Sequence, residues 1–490
     1  MRKPTAVALV VGIVAGLAGL AAHPREPRLT ASTTGDADVA ASARAAVADP
    51  DGYRGLAVAL IDDGRVRTAG LGDRDRHGAP VESGTPFEIG SVTKVLTGML
   101  LARQAETGAV RPEDTLGTVW PAVEGPVREV TLTELASHRS GLPRIDLGSV
   151  GAWVRVLRAN VAAGNPYAGL DVDRVRDTAD AYAPGDDRGR VGYSNLGSAV
   201  LGQALAADAG LAFPELLDRD LLTPLGMTAT VHATDSGALP DERAQGARGN
   251  GRVADPWTGS GYAPAGIGYW STVEDLARLV TATTAGTAPG ADARDPRFDD
   301  DDRTRIGYGW FTTRYDDQEI TWHDGGTGGF RSYVGFDRAT GRGVVVLGNT
   351  DKAVEPIGLR LLGVPPDQAG EPTPALPVWA GAGIALVFTV IGGLSLLGVA
   401  YRPTLDRLTV LSAGAWAVAY PALGRQLGDW SAVPGWLWAV GPALSAAGLA
   451  LVAHRWRDLP TNRAAVPWRR VVVTVASLVG AVVAVVVVLG

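Results

Sequence analysis

The last quarter of the chain contains four long segments without a charged residue. They are Pro372–Tyr401, Leu408–Gly424, Trp430–Ala453 and Val471–Gly490. A helix needs about 20 apolar residues to cross a membrane, and uniformly apolar runs of that length are typical of membrane helices rather than of soluble cores. The second segment is marginal, because it has 17 residues and Pro421 near its end. We predict four transmembrane helices within residues 372–490.

The amino terminus has the pattern of an export signal. Two basic residues precede the uncharged run Pro4–Ala22, and the small residues at its end suit a cleavage site. The run is also long enough to remain in the membrane as an anchor. We therefore predict a signal peptide or N-terminal membrane anchor over residues 1–22. Residues 23–40 are predicted to be a linker, because Pro, Ser, Thr and Asp are scattered through them.

The distribution of charge predicts which side of the membrane each part occupies. The whole chain has a net charge of −7, whereas residues 371–490 hold eight arginines, no lysine and four acids. Most of these arginines lie in the loops Tyr401–Arg407 and His454–Arg470. Since positive loops stay in the cytoplasm, the large body and the carboxyl terminus are predicted to be extracytoplasmic. The acidic body excludes a chain that coats nucleic acid, and no nucleic-acid partner is expected.

Residues 41–355 have the pattern of one soluble α+β domain. Short apolar runs on both sides of Asp62-Asp63-Gly64 predict a hairpin, and further strand patterns lie between residues 306 and 347. Helical periodicity prevails between these two groups of strands. Strands from both ends of the domain are expected to form one antiparallel sheet beside a helical region. Residues 356–371 are predicted to be a linker to the membrane region.

The composition excludes several kinds of chemistry. The chain has no cysteine, so it can form no disulfide, zinc-thiolate site or cysteine nucleophile. The six histidines are scattered, and the acidic stretch Asp292–Asp302 lacks the spacing of a calcium-binding loop. We therefore expect neither a metal nor an organic cofactor.

Ser91 and Lys94 form the first motif that could carry chemistry. A serine that opens a helix with a lysine three residues later places hydroxyl and ammonium groups on one face. A buried lysine can lose its proton and then accept one from the serine. Lysine is rare here, since only Lys3, Lys94 and Lys352 occur. The alternative is a helix-capping serine and a solvated lysine.

Tyr193 and Asn195 form the second motif, after a glycine-rich turn. A tyrosine can relay a proton and an asparagine can hold an amide oxygen when both face one cleft. The alternative is a packed tyrosine and a turn asparagine. His138 is expected to cap and pack a helix end rather than to join this site.

The third motif is the sequence His323-Asp324-Gly325-Gly326. His323 ends a predicted strand, and the glycines that follow would allow a ligand to approach the backbone closely. An ordinary hairpin is the alternative. Each of the three motifs is weak alone, but their order along the chain gives them weight together.

Ser-x-x-Lys, Tyr-x-Asn and His-x-Gly in this order resemble the serine beta-lactamase-like hydrolases. That family includes class C beta-lactamases, D-alanyl-D-alanine carboxypeptidases and related esterases. The resemblance covers roughly residues 45–352 and does not extend to the apolar tail. It implies a beta-lactamase/transpeptidase-like fold: a five-stranded antiparallel sheet flanked by helices, an all-helical lobe, and a site between them.

The resemblance implies a role for each motif residue. Ser91 would be the acylated nucleophile, Lys94 its proton acceptor and Tyr193 a relay to the leaving group. Whether Lys94 or Tyr193 is the main base stays open. Backbone N–H groups of Ser91 and Gly326, beside Gly325, would form the oxyanion hole.

Two residues would act on the substrate instead. Asn195 would orient the substrate amide, and His323 would complete the edge of the site. Beta-lactamases usually have lysine where this chain has His323, and a neutral histidine anchors a substrate carboxylate less well than an ammonium group. Peptidase or esterase activity is therefore expected rather than efficient beta-lactam hydrolysis.

The sequence thus predicts an exported, membrane-tethered serine hydrolase that acts through an acyl-enzyme. Its expected partners are a small-molecule or peptide substrate, including cell-wall-derived ones, and membrane lipid. The rival interpretation is a non-catalytic, penicillin-binding-like sensor or scaffold of the cell envelope. The enzyme is favoured by the presence of Ser91, Lys94 and Tyr193 together, because a protein that only binds its ligand could have lost any of them.

Overall fold

A computed structural model describes residues 3–145, 147–370, 378–402, 406–428, 430, 433–459 and 468–489. The strands are β1 Thr33–Gly35, β2 Gly55–Asp62, β3 Arg65–Gly72, β4 Phe87–Glu88, β5 Val231–His232, β6 Tyr269–Ser271, β7 Phe298–Asp299, β8 Thr304–Ile306, β9 Phe311–Tyr315, β10 Gln318–Gly326, β11 Arg331–Asp337 and β12 Gly343–Gly348. The helices of the body are α2 Ala37–Ala46, α3 Thr93–Glu106, α4 Leu116–Val119, α5 Leu132–Ala136, α6 Val150–Ala162, α7 Val172–Ala181, α8 Asn195–Asp208, α9 Phe213–Leu217, α10 Thr223–Leu225, α11 Val273–Thr284, α12 Glu355–Leu361 and α13 Pro366–Ala369. The apolar helices are α1 Lys3–Ala21, α14 Val378–Ala400, α15 Arg407–Leu427, α16 Val440–Arg455 and α17 Trp468–Leu489.

The main sheet joins strands from the two ends of the body. Within the described residues it has nine strands in the order β1-β3-β2-β12-β11-β10-β9-β8-β7, and each neighbouring pair is antiparallel. The predicted hairpin at Asp62-Asp63-Gly64 joins β2 and β3. The α+β prediction is confirmed. Five long strands, β3-β2-β12-β11-β10, form the centre, and short strands extend the implied five-stranded sheet at both edges.

Helices cover both faces of this sheet. β12 lies in the middle and every one of its residues is buried, as expected for a strand packed on two sides. α11 packs on one face of β2 and β12, while α2 and α12 cover the opposite side of the sheet. α3 is almost entirely buried, and it contacts α5 and α8 of the helical lobe. The start of α3 therefore lies where sheet and lobe meet.

Neither predicted linker is a linker in the structure. Residues 356–370 contain most of α12 and all of α13, and Ile357 and Leu359 are buried against the sheet. Residues 23–40 contain β1, which pairs with β3, and the start of α2. The physical reason is the same in both segments: a few apolar side chains of each, including Leu29 and Val39 in the first, are buried in the core on this side of the sheet.

The apolar segments are helical. By length and composition, four helical stretches in the described part of the chain could cross a membrane: Pro4–Ala21, Gly381–Ala400, Gly435–Arg455 and Trp468–Val486. α15, which corresponds to the marginal second segment, is a helix but is less apolar and is not among them. Residues 372–377 of the first predicted segment, part of the third and Gly490 of the last lie outside the described residues.

The helical tail has two chemically different ends. At the end near the body, the Arg425 side chain donates to the Ala22 carbonyl over 3.1 Å, and the Asn250 amide donates to the Gln426 carbonyl over 3.0 Å. At the other end, Arg470 pairs with Asp406 at 2.8 Å. At the same end, the Arg455 guanidinium donates to the Arg402 backbone carbonyl over 3.2 Å. The arginine-rich loop ends therefore lie at the end of the bundle opposite to the body.

Candidate active site

Ser91 lies in a single 3-10 turn, Gly90–Val92, that leads directly into α3. No side chain caps the start of α3, so the structure gives no support to the alternative in which Ser91 is a helix cap. Gly90 has a φ of +49°, and a Cβ there would lie 2.9 Å from the Gly326 backbone nitrogen. This glycine therefore lets the turn that carries Ser91 approach the end of β10.

Lys94 lies one helical turn after Ser91 and is buried. Its Nζ donates to Ser91 Oγ over 2.8 Å and to the Ala265 carbonyl over 2.8 Å. Burial holds the pKa of Lys94 well below its ordinary value; Asp324 opposes this effect and Arg144 reinforces it. Lowering the pKa of a lysine raises its neutral fraction, and the neutral amine can accept the Ser91 proton.

Tyr193 completes the group on the lobe side of the cleft. Its ring centroid is 4.9 Å from Lys94 Nζ, and a hydrogen bond links its hydroxyl to Ser91. Burial raises the pKa of Tyr193 well above its ordinary value, and the Ser91 hydrogen bond opposes this only in part. Tyr193 therefore keeps its proton near neutral pH. This charge state favours Lys94 as the main base and Tyr193 as a relay.

Asn195 begins α8, just after the Ser194 side chain caps that helix. Its Nδ2 donates to the Tyr167 hydroxyl over 2.8 Å. Its Oδ1 is buried and has no hydrogen-bond partner within the described part of the chain. An amide fixed at one end and unsatisfied at the other is suited to contact a substrate. Tyr167 is a site residue that no sequence pattern indicated.

His323 lies on β10, at a sheet edge that is partly uncovered. Among the described residues, β9 pairs with β10 only as far as Trp322, so residues 323–326 have no strand beside them on that side. His323 is fully buried, and its Nδ1 lies 2.5 Å from the Asp324 carbonyl oxygen. Burial lowers the pKa of His323 to about 4. The site edge therefore carries a neutral imidazole where a lysine would carry a charge.

Gly325 and Gly326 bring the β10 backbone against Ser91. A Cβ on Gly325 would lie 2.2 Å from the Ile89 carbonyl oxygen and 3.1 Å from the Ser91 nitrogen. The backbone N–H of Thr327 donates to the Phe330 carbonyl at the end of the β10–β11 ladder. In an antiparallel ladder hydrogen-bonded and non-hydrogen-bonded pairs alternate, so the preceding pair, Gly326 and Arg331, is a non-hydrogen-bonded one. The Gly326 N–H consequently points away from β11. This geometry supports the predicted oxyanion hole of Ser91 and Gly326 N–H groups.

His138 belongs to the site, although its sequence context predicted only helix capping and packing. Its ring centroid lies 4.6 Å from that of Tyr193, and its Nδ1 accepts from the Ser194 N–H over 3.4 Å. Its carbonyl accepts from the Gly192 N–H over 2.7 Å. Burial holds the pKa of His138 well below its ordinary value, with Lys94 contributing. His138 thus positions Tyr193 without adding charge.

The geometry predicts a pH effect of Asp324, whose charge raises the pKa of Lys94. A lysine can act as a base only when it is neutral, so if Lys94 is the base, activity should rise as pH increases through its pKa. Asp324→Asn should lower that pKa and move the acidic limb of the kcat/KM profile to lower pH. Glu319→Gln, an exposed carboxylate on the same strand, is the matched control. An unmoved limb, or one at higher pH, would contradict the assignment of Lys94 as the base.

The fold and this Ser–Lys–Tyr group define a beta-lactamase/transpeptidase-like domain with its site between sheet and helical lobe. The chain belongs to the beta-lactamase family, because the family model named Beta-lactamase matches residues 43–361. The match includes every motif residue and ends before the helical tail. It also reaches into α12, in agreement with the packing of that helix on the sheet.

Curated relatives are distant. The chain is 26% identical over 331 residues to an unguisins hydrolase of Aspergillus campestris, an alignment covering 60% of this chain and 58% of the relative. It is 27% identical over 220 residues to the D-alanyl-D-alanine-carboxypeptidase/endopeptidase AmpH of Escherichia coli, covering 41% and 54%. The chain thus spans somewhat more than half the length of these relatives.

Solved structures share the fold of the body. A class C beta-lactamase from Rhodobacter sphaeroides superposes with a TM-score of 0.56 at 21% identity, covering 66% of this chain and 98% of that one. A beta-lactamase/D-alanine carboxypeptidase from Pseudomonas syringae gives 0.57 at 20% identity, covering 67% and 99%. Both neighbours are covered almost completely, which means that this chain has about a third of its length beyond their fold.

Proposed function

We propose that the protein is an exported, membrane-tethered serine hydrolase that acts on an ester, an amide or a D-amino-acid peptide through a covalent acyl-enzyme. The observation that carries this proposal is the 2.8 Å contact between Ser91 Oγ and the buried Lys94 Nζ. A serine hydroxyl is a weak nucleophile until a base takes its proton. Burial lowers the pKa of Lys94, which suits it to be that base.

The proposed reaction has two stages. Ser91 Oγ attacks the substrate carbonyl carbon while Lys94 takes the hydroxyl proton, and the carbonyl oxygen gains negative charge between the N–H groups of Ser91 and Gly326. The bond to the leaving group breaks, and the proton passes through Tyr193 to that group. A water molecule then attacks the acyl-enzyme, its proton returns along the same route, and the acid product leaves Ser91 free.

The uncovered edge of β10 suggests how a substrate would be held. An extended peptide can add to an open sheet edge through its backbone groups, and residues 323–326 offer such an edge beside Ser91. The free Oδ1 of Asn195 would accept from an amide N–H across the cleft. The neutral His323 provides no strong anchor for a carboxylate. These features favour esters and peptides over beta-lactams, and one of the two curated relatives is named as a D-alanyl-D-alanine-carboxypeptidase/endopeptidase.

The proposed orientation places the catalytic body outside the cytoplasm. It is supported by four helices that could cross a membrane and by the arginine-rich end of the bundle, which lies opposite to the body. Positive charge marks the cytoplasmic end of membrane helices. α1 would then remain as an anchor, since it packs along α16 in the bundle.

The proposal is tested with intact cells that express the full chain. Three charged substrates that do not cross membranes are compared by kcat/KM: a short acyl ester, a D-Ala-D-Ala peptide and a cephalosporin. We expect turnover by intact cells, with the ester or the peptide ahead of the cephalosporin. Cells expressing Ser91→Ala provide the background.

Three outcomes would count against the proposal. Hydrolysis that appears only after lysis would contradict the orientation. If the cephalosporin is the best substrate, the inference that a neutral His323 disfavours beta-lactams is wrong. Binding of all three compounds without turnover would favour the non-catalytic sensor.

A further inference from the structure

Helix α6 presents its apolar face outward. Val150, Trp153, Val154 and Leu157 recur at helical spacing and are exposed by 81%, 59%, 57% and 64%. The opposite side is held by buried Ala152 and Ala159. Large apolar side chains clustered on one exposed helix face mark a surface that another apolar phase covers.

The tail indicates what that phase is. α6 packs against α17. α17 is the most exposed of the four candidate spans, because only 11% of its apolar stretch Trp468–Val486 is buried inside the protein. α17 starts at the arginine-rich end of the bundle, where Arg470 meets Asp406. Its carboxyl-terminal half therefore runs toward the body, of which α6 is a part. α6 thus adjoins a helix whose own surface requires lipid, and its apolar face is exposed beside that helix.

We propose that α6 lies in the surface of the same bilayer that α17 crosses, with Val150, Trp153, Val154 and Leu157 in its headgroup region. An amphipathic helix in this position places its apolar face about 5–10 Å into the boundary between headgroups and acyl chains. Arg155 suits the inner side, since its Nε donates to the Pro166 carbonyl over 3.0 Å and ties the helix to the lobe.

The two chain segments that flank α6 lead directly into the active site. Before the helix, the Arg144 carbonyl accepts from the Asn195 N–H over 3.2 Å, and the Arg144 guanidinium lies 5.4 Å from the Tyr193 ring centroid. After the helix, the Tyr167 hydroxyl accepts from Asn195 Nδ2 over 2.8 Å. A helix fixed in the membrane surface would hold this rim of the cleft against the lipid.

The substrate class follows, and this step rests on the proposed hydrolase function. A cleft whose rim lies at the bilayer surface meets molecules that stand in that surface, with an acyl or polyprenyl chain in the lipid and a polar scissile group above it. We therefore infer that the substrates are amphiphiles carried by the membrane. Concentration and orientation in the surface would supply binding that the neutral His323 does not.

The position of α6 can be measured with single cysteine labels, because the natural chain has no cysteine. Trp153→Cys and Leu157→Cys carry an environment-sensitive fluorophore on the full chain in phosphatidylglycerol–phosphatidylcholine vesicles. Lipids with a nitroxide near the headgroup should quench both labels. Asp177→Cys, an exposed polar position on α7, the next helix along the chain, is the matched control and should remain unquenched.

Other quenching patterns would overturn the proposal. Labels at 153 and 157 that are quenched no more than the label at 177 would show that α6 lies in water. Labels shielded from water but not reached by the nitroxide, with shielding that increases as protein per vesicle rises, would show that a second copy covers the helix.

The substrate inference has its own test with Trp153→Gln/Leu157→Gln in the same vesicles. This variant should lose about tenfold in kcat/KM for a long-chain ester held in the bilayer, since two apolar contacts with lipid are lost. Turnover of a water-soluble short-chain ester should be unchanged, and Asp177→Gln should affect neither. Equal loss on both esters, or no loss on either, would overturn the inference. Failure of the parent protein on both esters would count against the hydrolase proposal instead, while the quenching result still decides the position of α6.

Discussion

Replacing Ser91 by alanine is expected to lower kcat by on the order of 10³-fold or more, because it removes the hydroxyl on which the proposed acyl intermediate forms. Lys94→Ala should have a similar effect, since Lys94 Nζ contacts Ser91 Oγ directly. Residues that act as one unit are not additive, so the double variant should lose little more than either single variant. Tyr193→Phe should lose less if Lys94 is the main base.

The measurement combines steady-state kinetics with intact-mass spectrometry after a slow acylating agent. One adduct is expected, on the peptide that contains Ser91. Thr272→Ala is a suitable control, because Thr272 is a true helix cap in the same domain, accepting from the Asp275 N–H over 3.2 Å. It should cost about 1 kcal/mol of stability with kcat preserved. Full activity of Ser91→Ala, or an adduct that persists in it, would end the acyl-enzyme proposal.

Replacing Gly325 by alanine should lower kcat by about 10²- to 10³-fold, the usual effect of losing one oxyanion-hole donor. The new Cβ would lie 2.2 Å from the Ile89 carbonyl oxygen and 2.3 Å from Ser332 Oγ. The β10 backbone must therefore move away from the turn that carries Ser91. Acylation and deacylation should slow together, because both pass through an oxyanion in the same place.

Gly84→Ala is the matched control, since Gly84 is in open space and needs no positive φ. Thermal unfolding and circular dichroism of both variants separate lost catalysis from lost folding. The prediction is that Gly325→Ala remains folded at the assay temperature and is nevertheless slow. Normal kcat in a folded Gly325→Ala protein would show that the close approach of β10 to Ser91 does not serve catalysis.

The motif residues could be predicted from the sequence because their chemistry is local. Ser91 and Lys94 are one helical turn apart, and Gly325 and Gly326 follow a strand that was visible in the pattern. Their meeting in space could not be derived from spacing; it followed only from a resemblance. His138 and Tyr167 were not predicted as site residues for a related reason. Each acts through contacts with residues that are 28 or more positions away in the chain, and no periodic pattern records such contacts.

The boundaries of the body were the least predictable part of the fold. β1 has three residues and α13 has four, too few for a hydrophobic period to appear. β1 gains its stability from pairing with β3, and α13 from packing on α12, rather than from their own propensities. The central strands and the apolar tail were predictable because their patterns extend over many residues.

The pairing of β2 with β12 has a consequence for the newly made chain. The Gly55 N–H meets the Asn349 side chain across 294 positions of sequence. At about 5–20 residues per second, a ribosome takes roughly 15–60 s to make the segment between them. During that interval the hairpin of β2 and β3 has an open, apolar edge that could pair with a neighbouring chain. If the body is exported as proposed, this edge must stay protected until β12 has followed it across the membrane, and the yield of folded protein should then be limited by the speed of translocation.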